Sequence, residues 1–215
     1  FILRDGARRS YSMANAPHLL VREEGGVTSG PSVDLHVRHM AGGRFTDHVF
    51  GAMKEKEILR VEGPFGSFFL REDTQKPIVF VASGTGFAPI KAILEHMQFK
   101  GIDRPAVLYW GGRRPSDLYM NALCESWAAD LPNFNYIPVI SDGLPEDAWT
   151  GRTGFVHQAV LQDHPKLSEF QVYASGAPIV VDSARADYVG KAGLPEEAFF
   201  ADSFTTEADK AKESN

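Results

Sequence analysis

The chain has 215 residues, 43% of them apolar and 15 of them Phe, enough to bury a sizeable core and to exclude disorder as the main state. With 22 Lys and Arg against 28 Asp and Glu the net charge is −6, a poor balance for a generic nucleic-acid binder. Cys124 is the only cysteine, so the chain alone makes neither a disulfide nor a thiolate cluster, and no apolar run approaches the ~18 residues of a membrane helix.

The first third alternates short apolar stretches with turns. Phe1 to Leu3, Ser10 to Met13, His18 to Glu23, Val33 to His39 and Ile58 to Glu62 are strand-length, with turns at Gly25-Gly26 and Ser29-Gly30-Pro31. Phe45 to Met53 reads as a short helix. The expectation is a small antiparallel sheet or barrel over residues 1–73. Phe1 stands where Met would be, Phe1 to Leu3 reads as the end of a strand and no signal peptide is visible, so the chain is expected to be a fragment whose first domain is truncated.

The pattern changes after Gly63-Pro64-Phe65-Gly66. Ile78 to Ala82 is a continuous apolar run, as in a strand buried on both faces, and Ile90, Ile93, Leu94 and Met97 then repeat at helical spacing. The cycle recurs with strands at Ala106 to Trp110, Phe134 to Ile140, Gln171 to Ala174 and Ala198 to Ala201. Helices are expected between them at Asp117 to Ala128, Phe155 to Leu161 and Ile179 to Lys191. Alternation of this kind predicts right-handed βαβ units on a parallel sheet over residues 74–204. The polar Lys- and Glu-rich end, 205–215, reads as a flexible tail.

Two glycine-rich segments open helices. Gly84-Thr85-Gly86-Phe-Ala-Pro89 follows a buried strand, where glycines let the backbone approach a phosphate and the helix N-terminus offers free N–H groups. Pro89 replaces the third glycine of the Rossmann pattern, which a first helical turn tolerates. Gly42-Gly43-Arg44-Phe45-Thr46 is the second. Arg9-Ser10-Tyr11-Ser12 adds a guanidinium fork for a phosphate, an aromatic face for a planar ring and a hydroxyl for a heteroatom. The bland readings are a ligand-free βα turn and ordinary strand residues.

These segments, with Tyr173-Ala-Ser175-Gly176-Ala-Pro178, resemble in order the R-x-Y-S, G-G-x-x-S/T, G-T-G-x-A-P and Y-x-C/S-G-x-P motifs of the ferredoxin–NADP⁺ reductase-like flavoprotein superfamily. The likeness runs from Arg9 to Phe204 and is greatest to reductase components of bacterial aromatic-ring dioxygenases and related oxygenases. It implies an antiparallel FAD-binding β-barrel, truncated here, followed by a Rossmann-like NAD(P)H-binding α/β domain. It implies that Arg9 binds flavin phosphate, Tyr11 packs on the flavin and Ser12 hydrogen-bonds flavin N5. His36, Val37 and Arg38 would line the flavin, and Gly42, Gly43, Phe45 and Thr46 would hold its pyrophosphate. Gly84, Thr85, Gly86 and Pro89 would meet the nucleotide phosphates, with Ser175, Gly176 and Pro178 beside the nicotinamide. Asp202 and Phe204 match the family's C-terminal acidic and aromatic residues near the flavin.

The implied activity is hydride transfer from NAD(P)H to FAD, then single electrons to an iron–sulfur domain or ferredoxin, in the cytoplasm. A [2Fe–2S] cluster would have to lie on another segment or partner. Arg113 and Arg114 favour a 2′-phosphate, but Asp142 stands where NADPH-using relatives show Arg, so the pattern leans to NADH with NADPH as the alternative. A free-flavin reductase and a non-catalytic NAD(P)H-sensing module are the competing readings. The seven histidines show no metal-ligand spacing, and the absence of G-x-S-x-G argues against Ser12 or Ser175 as a hydrolase nucleophile. Cys124 reads as a small buried hydrophobe.

Overall fold

The computed structural model describes residues 1–3, 6–21, 23–24, 27–28 and 30–205. Its strands are β1 (Glu23–Glu24), β2 (Val27–Thr28), β3 (Ile78–Ser83), β4 (Ala106–Gly112), β5 (Phe134–Ile140), β6 (Arg152–Thr153), β7 (Gln171–Gly176) and β8 (Phe199–Ser203). Its α-helices are α1 (Arg44–Asp47), α2 (Phe87–Lys100), α3 (Asn121–Asp130), α4 (Val156–Asp163) and α5 (Pro178–Gly190). The tail expected beyond Thr205 lies outside the described residues.

Strands β3 to β8 form one parallel sheet in the order β6-β5-β4-β3-β7-β8. Successive residues of a strand face opposite sides, so the continuous apolar run of β3 feeds two cores. Ile78, Phe80 and Ala82 join Leu108 and Trp110 beneath α2 and α3. Val79 and Val81 join Tyr109, Val172 and Ala174 beneath α4 and α5. The chain steps outward from β3 through β4, β5 and β6, then returns to the other side of β3 as β7. The reversal opens a crevice at the carboxyl ends of β3 and β7, where ligands of open α/β sheets bind.

Differences from the expected boundaries have local causes. α3 starts at Asn121 rather than Asp117, because Pro115–Asp117 closes its own 3-10 turn, with the Asp117 carboxylate accepting from the Arg113 and Arg114 amides. β6, two residues between Gly151 and Gly154, is too short to show a periodicity. Cys124 is buried as expected, and desolvation pushes its thiol up to about 12. α2 ends on Gly101 in the left-handed region, with amide bonds from Gly101 and Ile102 back to Gln98 and Met97.

The N-terminal region follows a different rule. Its extended segments meet in single antiparallel bridges, Ile2 with Arg8 and with Arg60, and Met13 with Leu35, besides the short β1–β2 pair. Where a strand is expected over His18 to Glu23, Pro17–Leu19 makes a 3-10 turn. Proline fixes φ and lacks the amide a ladder needs, so it starts the turn instead. The helix expected from Phe45 is present as α1, and His48–Ala52 continues it as a wider π turn.

Arg104, 2% exposed, ties the connection between the two regions. Its guanidinium donates to the carbonyls of Arg71 and Lys76 and to Gln171 Oε1 on β7. Tyr173 Oη accepts the Arg71 amide at 2.9 Å. The linker is thereby bolted to the sheet at both ends.

Candidate functional site

The site grows from two turns that interleave at the crevice. Gly84 takes a left-handed φ of 53°, and Gly84–Gly86 winds as a 3-10 turn into α2. A Cβ on Gly86 would lie 2.1 Å from the Ser175 carbonyl oxygen, and one on Gly176 would lie 2.4 Å from that of Ser83. Only glycines let the ends of β3 and β7 pass this closely. Trp110 stacks on Phe87 at 4.1 Å and donates to the Gly84 carbonyl, holding the turn from below. Pro89 lies in the first turn of α2, and Pro178 occupies the first position of α5.

Three residues expected at the reacting end converge here from distant parts of the chain. Ser12 Oγ donates to Asp202 Oδ2 at 2.5 Å across 190 residues of sequence. Ser175 pairs with Asp202 in the register of β7 and β8. Burial raises the Asp202 carboxyl above its ordinary range, and the Ser12 bond pulls it partly back. Ser175 is 1% exposed and its hydroxyl has no hydrogen-bond partner among the described residues. A buried hydroxyl left unmatched is unfavourable unless something else completes it.

Beside the glycine turn lies a cleft of about 410 Å³ lined by His36, Val37, Arg38, Gly84, Thr85, Ser116, Asp117 and Tyr119. The Arg38 guanidinium reaches to 4.0 Å from Asp117, and His36 Nδ1 shares a 2.7 Å hydrogen bond with Tyr119 Oη. Burial, reinforced by the Lys91 charge, lowers the His36 imidazole, and desolvation raises the Tyr119 hydroxyl. Ser116, Asp117 and Tyr119 carry no local signal in the sequence. Tyr119 is placed by tertiary partners, hydrogen-bonded to His36, 83 residues away, and edge-on to the Trp110 ring at 5.1 Å.

Most of the remaining expected residues lie in the N-terminal region. The Arg9 guanidinium donates to the Arg8 carbonyl. Tyr11 packs against Phe45 at 5.2 Å and edge-on to Phe1, so the neighbours of its ring are protein side chains. Gly42 is left-handed with open space around it, whereas a Cβ on Gly43 would strike Thr46 Oγ1. The Thr46 hydroxyl brackets its own loop, bonded to Met40 and Gly43. Phe45 also borders a second cavity of about 430 Å³, with Phe1, Arg44, His48 and Ile58. The Arg113 and Arg114 guanidinium groups both face Asp142, at 3.6 and 3.7 Å, and Arg114 also faces Asp147 at 3.6 Å. The Phe204 amide bonds the Gly176 carbonyl, closing the strand that carries Asp202.

A parallel sheet with a glycine turn at its switch point defines a dinucleotide-binding α/β domain. In agreement, residues 80–186 match the oxidoreductase NAD-binding domain family. The chain is 44% identical over 203 residues to the CDP-6-deoxy-L-threo-D-glycero-4-hexulose-3-dehydrase reductase of Yersinia pestis, covering 94% of this chain and 57% of that protein. It is 40% identical over 206 residues to the terephthalate 1,2-dioxygenase reductase component 1 of a Comamonas species, covering 95% and 57%. The crystal structure of the Amycolatopsis cytochrome P450 reductase GcoB superposes with a TM-score of 0.80 at 29% identity, over 95% of this chain and 59% of that one. The chain belongs to the ferredoxin–NADP⁺ reductase-like superfamily of reductases. It spans somewhat more than half the length of these relatives.

No helix among the described residues is long and apolar enough to cross a membrane, and no group of three or more His, Cys, Asp and Glu among them is arranged to hold a metal ion.

Proposed function

We propose that this chain is the nucleotide- and flavin-handling part of a cytoplasmic NAD(P)H-dependent flavoprotein reductase that feeds single electrons to an iron–sulfur domain or ferredoxin. In this reading residues 1–73 are part of an antiparallel FAD-binding barrel, residues 74–204 bind NAD(P)H and 205–215 form a tail. The observation that carries it is the meeting of Ser12, Ser175 and Asp202 at the mouth of the interleaved glycine turns. The residues fit the two cofactors. Ser175 offers a buried, unmatched hydroxyl beside the turn, and the cleft between Arg38 and the Gly84–Thr85 backbone suits an anionic diphosphate.

When bound, the flavin supplies the two-electron to one-electron conversion that no side chain here performs. The chain's own residues bind and orient. Gly84, Thr85 and Gly86 hold nucleotide phosphates against the α2 N-terminus, and Arg38 answers a phosphate from the opposite wall. Ser175 orients the nicotinamide. The Ser12 hydroxyl, kept in place by Asp202, would contact the flavin ring, and the raised Asp202 carboxyl would be suited to hold a proton near it. Asp142, facing Arg113 and Arg114, withdraws both cations from a 2′-phosphate and favours NADH. The terephthalate dioxygenase reductase supports an oxygenase as the final recipient, and the hexulose dehydrase reductase shows that relatives serve other acceptors by name.

Anaerobic titration tests the reading. The purified protein, loaded with FAD, should show flavin absorption bands that bleach on addition of NADH. Protein that takes up no FAD, or whose flavin NADH leaves oxidised, rejects it. NADH binding without turnover toward ferricyanide would instead favour a sensing module.

A further inference from the structure

Helix α2 begins at the glycine turn and carries, from its second turn, a largely buried ion pair that neither motif explains. Lys91 is 8% exposed, and its ammonium group lies 2.5 Å from Glu95 Oε1 one helical turn on. The same ammonium donates to the Ala14 carbonyl at 2.9 Å. Glu95 Oε2 accepts the Ala16 amide at 3.1 Å. The pair therefore grips the backbone on both sides of Asn15, two to four residues beyond Ser12. Asn15 is itself buried and bonds the Ser32 carbonyl and the Asp34 amide.

A surface i,i+4 pair contributes little, and a buried one is hard to justify as stabilisation alone, since desolvation opposes it. Here both charges carry additional backbone bonds across 77 and 79 residues of sequence. The helix that starts at Gly84–Gly86 thus holds, through one ion pair, the segment that directly follows Ser12. We propose that Lys91 and Glu95 are positioning residues: they fix the Tyr11–Ser12 segment relative to the nucleotide turn, and so set the alignment of the two cofactor sites. This rests on the reductase reading above. It adds to that reading a rigid lever that neither of the sequence motifs contains.

Two measurements test it. In the chain without flavin, Glu95→Ala removes the acceptor of the Ala16 amide. Hydrogen exchange at the Ala16 amide should then accelerate roughly fivefold or more, the equivalent of one hydrogen bond, while Ile78–Ser83 stays protected. Unchanged exchange over residues 12–16, in both this variant and Lys91→Met, overturns the proposal. In the FAD-loaded protein, Lys91→Met should slow anaerobic flavin reduction by NADH about 10- to 100-fold per bound flavin. The NADH dissociation constant should change less than about threefold, and Lys91→Arg should recover most of the rate. The penalty should shrink when Ser12→Ala is already present, because the two act through one segment. A lowered melting temperature with an unchanged rate per bound flavin would mean a merely structural pair. Protein that neither binds flavin nor oxidises NADH refutes the reductase reading, and the exchange measurement still decides the clamp.

Discussion

The two regions of this molecule reach order by different means. The parallel-sheet region has a core on each face of β3, with Ile78 to Ala82 wholly enclosed and Trp110 and Tyr109 on opposite sides of the sheet. The N-terminal region leaves Ile58 95% exposed, and Phe50, Val61 and Phe65 are also exposed. It is held by discrete bolts onto its neighbour: Ser12 to Asp202, His36 to Tyr119, the Lys91–Glu95 pair to Ala14 and Ala16, and Arg104 to the linker. Burial of apolar area is additive and tolerant, whereas a bolt is local and fails all at once. The difference places the rigid scaffold on the nucleotide side and makes the opposing side's geometry dependent on a few polar contacts.

The largest test of this contrast compares cores. Trp110→Ala should destabilise the protein by about 3–5 kcal/mol in urea unfolding, whereas Ile58→Ala should stay within about 0.5 kcal/mol. Comparable losses at the two positions would erase the distinction. A smaller effect separates the glycines. Gly86→Ala forces a Cβ onto the Ser175 carbonyl and should lose about 1–3 kcal/mol together with NADH binding, measured by calorimetry. Gly51→Ala, with nothing within 4 Å, should leave both intact.

Charge substitutions come next. Asp142→Ser frees Arg113, while Arg114 keeps Asp147 at 3.6 Å, and should raise the NADPH-to-NADH ratio of kcat/KM severalfold, since exposed pairs are worth about 0.2–1 kcal/mol. The smallest effect is a pH dependence. Burial holds the folded His36 imidazole below its ordinary 6.5, so the unfolded chain takes up its proton first as pH falls. Stability should therefore decline as pH drops through 6.5, and the decline should be shallower in His36→Gln when melting temperatures are followed from pH 7.5 to 5.5. Asp202 has the opposite sign. Its raised folded pKa means that stability falls as pH rises above the ordinary carboxylate value near 3.8, and Asp202→Asn should lose that slope.

Much of the sheet region was legible because its signals are local. A β-branched run such as Ile78 to Ala82 can be little else than a doubly covered strand, and Gly84, Gly86 and Gly176 announce tight turns whatever packs on them. The N-terminal region was less so. Five strand-length segments are visible in its composition, but a strand is completed by neighbours, and Met13 with Leu35 or Ile2 with Arg60 meet only in single bridges. Pro17 turned one of the five into a 3-10 helix.

The sequence alone determined the βαβ alternation, the glycine turns, the family and the identities of Ser12, Ser175 and Asp202 as residues of interest, because each depends on spacing or on a motif a few residues long. Tertiary structure alone decided that those three meet, that Tyr119 closes on His36, that Asp142 faces both arginines, and that Lys91 and Glu95 hold the Ala14–Ala16 backbone. The reason is physical. A hydrogen bond across 77 to 190 residues leaves no periodicity in the chain, and only the packed sheet brings its two ends within reach.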